Sequence, residues 1–84
     1  MDLNELKRSW NDILFLLEQK NRVAWLTFFD ARLVKLEDRM LFLDFSDSEK
    51  FSGAHSYSDA RAKFASLLKE SIKEISGADL DLSW

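Results

Sequence analysis

The side chains able to do acid–base or metal chemistry in this 84-residue chain are few and scattered. The single histidine, His55, lies in the polar stretch Ser52–Tyr57. A general base needs a nucleophile and an orienting group within reach, and a lone loop histidine has neither. Its neighbours are serines and Asp59, too few for a zinc ligand set. Carboxylates gather at Glu37-Asp38, at Asp44, Asp47 and Glu49, and at Asp79 and Asp81. Oxygen ligands of this kind suit calcium, but the EF-hand pattern with its glycine and terminal glutamate is absent. These acids read as solvated turns and strand edges. Two isolated glycines cannot build a phosphate-cradling loop. There is no cysteine, which excludes disulfides and thiolate metal sites. The residues predict no enzyme: no catalytic, metal or cofactor site, and no small-molecule substrate.

Bulk composition narrows the remaining classes. The chain has the length of one domain. A domain of this size buries about 60% of the surface its unfolded chain exposes, so its core is modest. A hydrophobic fraction of 46%, with 13% aromatic, points to a folded domain and away from disorder. Charged residues interrupt the N-terminus from Asp2 onward, so no signal peptide is visible. No apolar run reaches the length of a membrane span. A cytoplasmic protein in a reducing compartment is expected. A net charge of −3 argues against a general nucleic-acid binder. The basic residues of the first half (Lys7, Arg8, Lys20, Arg22, Arg32, Lys35 and Arg39) are matched by seven acidic residues before Leu43.

Apolar spacing predicts the elements. Leu3, Leu6, Trp10, Ile13, Leu14 and Leu17 form one stripe of a helix over 4–20, capped by Asp2 or Asn4. Asn21 ends that helix or caps the next; one helix bent at Asn21 is the alternative. Val23–Phe29 is a shorter helical run, apolar on more than one side. Leu33–Glu37 and Met40–Phe45 alternate as strands, joined across Asp38-Arg39. That joint lacks the glycine of tight primed turns, which leaves a longer loop open. Ser46–Glu49 is rich in capping residues and opens a short helix through Phe51; Ser52–Tyr57 is a loop. From Ser58, the expected N-cap, Ala60, Phe64, Leu67, Leu68, Ile72 and Ile75 line one helix face. Gly77 stops that helix. Leu80, Leu82 and Trp84 then alternate with Asp79, Asp81 and Ser83 as a third strand, able to lie parallel to a hairpin strand.

The order ααββααβ predicts a two-layer α+β domain, its helices on one face of a three-stranded mixed sheet. The expected core is Trp10, Ile13, Leu14, Leu17, Leu26, Val34, Leu36, Leu41, Leu43, Phe45, Phe64, Leu67, Leu68, Ile75, Leu80 and Leu82. With Leu41, Leu43 and Phe45 facing the helices, Met40 and Phe42 face away, beside Leu33. That trio is either scattered surface apolar residues or a docking patch. The end of the last strand, around Asp79, Asp81 and Trp84, is a second surface. Trp84 shares its strand face with Leu80 and Leu82 and can simply complete the core, so the sheet face with Leu33, Met40 and Phe42 is the favoured one.

The run from Leu6 to Phe45 resembles the small C-terminal domain of the gamma/tau subunit of bacterial DNA polymerase III. The resemblance rests on Leu6 with Trp10, Ile13 and Leu14, then Asn21-Arg22 with Ala24 and Leu26. It continues through Ala31 with Leu33-Val34, and Leu41, Leu43 and Phe45. Phe51, Leu67, Leu68, Ile72, Gly77 and the last strand follow in the same order, so it spans nearly the whole chain. The hairpin glycine common in such domains is replaced by Glu37-Asp38-Arg39. The resemblance implies a domain excised from a longer subunit, a KH-like fold and a replisome role. That role is to link the clamp loader to the polymerase, with an alpha-type subunit of the replicative DNA polymerase as partner. A KH domain that binds nucleic acid carries a GxxG loop. The matching place here is Gly53-Ala54-His55-Ser56, without the second glycine or a basic residue. A protein partner is therefore expected, and no direct nucleic-acid binding. The alternatives are a KH-like single-stranded nucleic-acid binder and a homo-oligomerisation module using Met40 and Phe42.

Overall fold

The computed structural model describes residues 2–45 and 58–84, with side chains in the second segment from residue 60. These residues form three helices and a three-stranded mixed sheet in the order α, α, β, β, α, β. The helices are α1 (Leu3–Lys20), α2 (Arg22–Phe28) and α3 (Ser58–Ser76). The strands are β1 (Arg32–Glu37), β2 (Met40–Asp44) and β3 (Asp81–Ser83). The short helix expected after Ser46, the loop around Gly53 and His55 lie outside the described residues. So do the carboxylates Asp47 and Glu49.

Side-chain caps separate the first two helices. The Glu5 amide donates to the Asp2 carboxylate at 2.8 Å and opens α1. Asn21 leaves helical geometry at φ −163° and ψ 113°. Its amide donates to the Leu17 carbonyl at 2.8 Å, which closes α1. Its side-chain oxygen accepts from the Val23 and Ala24 amides at 2.9 and 3.2 Å, which opens α2. One residue serves both ends, so the chain makes two helices and not one bent one.

The hairpin turn is tight. Glu37 pairs with Met40, and Asp38 and Arg39 take φ of 50° and 64°. Positive φ at both central positions matches a type I′ turn, achieved here without glycine. Along β1 the register slips between Leu33 and Lys35: Leu33 pairs with Leu43, Lys35 with Phe42 and Leu36 with Leu41. Val34 is the extra residue of a β-bulge. The bulge puts both Leu33 and Leu36 opposite buried residues of β2 and leaves Val34 54% exposed.

The third strand joins the hairpin through α3. Helix α3 begins at Ser58 itself, so the residue expected to cap it is already helical. It ends at Gly77, whose φ of +77° is the left-handed stop the sequence predicts. The Gly77 amide donates to the Lys73 carbonyl at 2.8 Å, and the Ala78 amide donates to the Ser76 hydroxyl at 3.2 Å. β3 then runs parallel to β2, with Leu82 beside Leu41 and Ser83 beside Phe42.

One apolar cluster unites Leu6, Trp10, Ile13, Leu14 and Leu17 of α1 with Leu41, Leu43 and Phe45. It also takes in Leu68 and Ile72 of α3, and Leu80. Leu36, Phe64, Leu67 and Leu82 pack on its margin. Leu26, Val34 and Ile75 were expected in the core but are exposed, while Ala24, Phe28 and Ala31 are buried instead. For Val34 the cause is the bulge. For Leu26 it is position, since Ala24, Thr27 and Phe28 share the inward side of α2 and Leu26 lies on the other side. Buried Thr27 and Ser71 satisfy their hydroxyls by donating to the Val23 and Leu67 carbonyls one turn earlier, at 2.8 and 3.0 Å.

Candidate protein-docking surface

The sheet's outer face is built by β-alternation. Register places Lys35 and Glu37 of β1, Met40 and Phe42 of β2, and Asp81 and Ser83 of β3 on the same side. Lys35 holds its ammonium 4.6 Å from the Phe42 ring centre and 3.3 Å from the Glu37 carboxylate. The lysine stem and charge therefore cover part of the phenylalanine. Met40 sits between Glu37 and Asp81 in the register. Both Met40 and Phe42 are half-buried. Leu33 does not join them. The bulge turns it towards the core, where it packs against the main cluster opposite Leu43. The expected trio of Leu33, Met40 and Phe42 is thus a pair, ringed by charge.

A larger apolar surface lies on α2. Ala24, Thr27 and Phe28 face inward; Val23, Leu26 and Phe29 recur every third residue on the outside. They are 52%, 39% and 48% exposed, and their spacing sets them side by side as one stripe along α2 and its C-terminal cap, Phe29. Half-buried Trp25 flanks them, its ring 5.2 Å from that of Phe29. The α1 side chain Phe15 is also exposed but stands off the buried stripe of its helix.

Trp84 meets the same end of α2. Its ring stands edge-on to Phe28 at 6.3 Å and to Phe45 at 6.1 Å. Edge-to-face packing fixes its orientation while 49% of the residue stays open to solvent. Behind it, the buried Arg61 guanidinium lies 3.9 Å from the Phe45 ring centre. A side chain held in this way by two buried aromatic rings has less entropy to lose on any association. Trp84 and the Met40–Phe42 pair therefore lie on different parts of the domain, not in one site.

The sequence does carry a trace of the α2 surface. The stripe 23, 26, 29 is apolar, and so is the opposite stripe 24, 27, 28 apart from Thr27. The small residues on the second stripe mark it as the side that touches other elements, which leaves the bulky stripe outside.

Charge chemistry elsewhere is structural. The Lys20 ammonium reaches Glu74 at 2.8 Å and Glu70 at 3.8 Å, tying the end of α1 to the last turns of α3. The hydrogen bond to Glu74, with the nearby negative charges, raises the Lys20 pKa above its usual 10.5 against an opposing desolvation. Lys69 pairs with Asp81 at 3.0 Å and ties α3 to β3. Among the described residues no group of three or more carboxylate or histidine side chains could hold a metal ion. No helix of the described residues is long and apolar enough to cross a membrane. Comparison with family models, with curated proteins and with solved structures yields no match to this chain.

Proposed function

We propose that this domain is a non-catalytic protein-docking module that presents the outer face of α2 and Trp84 to a partner. Two observations carry the reading: the exposed stripe Val23, Leu26 and Phe29 on one side of α2, and a half-exposed Trp84 braced by Phe28 of the same helix and by Phe45. Tryptophan and large apolar side chains of this kind anchor protein interfaces, where truncation of a central residue costs about 2 kcal/mol or more. The sheet face with Met40 and Phe42 is the smaller surface. The resemblance to the gamma/tau C-terminal domain names the partner: an alpha-type subunit of the replicative DNA polymerase. A KH-like arrangement belongs to the same reading, and a last strand parallel to β2 after a helical crossover is compatible with it.

The test is affinity for purified bacterial replicative polymerase subunit, with three variants of the domain. Phe29→Ser and Trp84→Ala should each weaken binding at least about 30-fold, the equivalent of a 2 kcal/mol hot spot. Phe42→Ser should bind as the parent does. If Phe42→Ser alone loses binding, the sheet face is the site and the α2 assignment is wrong. Should the parent bind no replicative polymerase, the partner is wrong. Salt-sensitive binding to a labelled single-stranded oligonucleotide would instead favour a nucleic-acid role.

A further inference from the structure

We draw no further inference here: the strongest candidate, the open cavity between the β1–β2 turn and the α3–β3 connection, is lined by the exposed Asp38, Arg39 and Asp79 over Leu36 and Leu80, and nothing else in it points to a ligand.

Discussion

Two residues show how differently one position can matter. Trp10 is 8% exposed within the apolar cluster, and its indole N–H is buried without a hydrogen-bond partner among the described residues. Trp10→Ala should cost about 3–5 kcal/mol, as large core truncations do. A buried donor left unpaired itself costs about 1–3 kcal/mol, so Trp10→Phe should be much milder because it removes that donor. Urea denaturation of both variants checks the pair; equal losses would mean that the N–H is not desolvated. Gly77 isolates a backbone effect. A Cβ added there would meet nothing within 4 Å, yet φ is +77°. Gly77→Ala should therefore destabilise by about 1 kcal/mol through the left-handed backbone alone. Gly77→Asn should lose less, since asparagine tolerates this region. Matching melting temperatures for the alanine variant and the parent would contradict the assignment.

At the scale of elements, period and helix stops were readable; the cap expected at Ser58 and the strand register were not. The stripe of α1, the break at Asn21, the Gly77 stop and the alternation of β2 all follow from local spacing, and all are found; that Asn21 closes one helix and also caps the next is seen only in the structure. The bulge in β1 has no such signature. Leu33, Val34 and Leu36 are all apolar, so alternation alone pairs Val34 with Leu36 and turns Leu33 out. Only the pairing with β2 reveals the extra residue. The same limit left the sides of α2 undecided in the sequence reading, because its inner side depends on which neighbours come close. The ion pair between α1 and α3 yields a pH prediction. A Lys20 pKa raised in the folded state gives a contribution that is present below the ordinary value of 10.5. It is lost as pH rises through the higher folded value. The stability difference between the parent and Lys20→Met should hold near neutral pH and shrink as pH rises past the ordinary lysine value of 10.5. A difference that grows with alkaline pH would reverse the sign. The pair is solvent-facing, so the difference should also fall in high salt.

At the scale of the whole domain, the described residues hold a closed apolar cluster and, apart from it, an exposed stripe on α2 and a half-exposed Trp84. Stability and binding should therefore separate. Large-to-small substitutions in the cluster should lower the melting temperature, whereas Phe29→Ser should leave the melting transition nearly unchanged while weakening the proposed docking, as expected for an exposed site. Edge strands invite pairing with other chains, and the bulge on β1 blunts that edge by twisting it locally. The bulge also has a consequence for how the chain can change length. With Val34 removed, Arg32, Leu33, Lys35, Leu36 and Glu37 would face Asp44, Leu43, Phe42, Leu41 and Met40 in unbroken order, every present pair kept. Deleting Lys35 instead would move Val34 into its place on the outer face and restore the alternation only by discarding the cation over Phe42. Deleting Leu36 would bring a charged residue to the inward position opposite Leu41. The hairpin thus has a spare codon: a Val34 deletion should fold with a native circular-dichroism spectrum and a cooperative melt, while a Leu36 deletion should not.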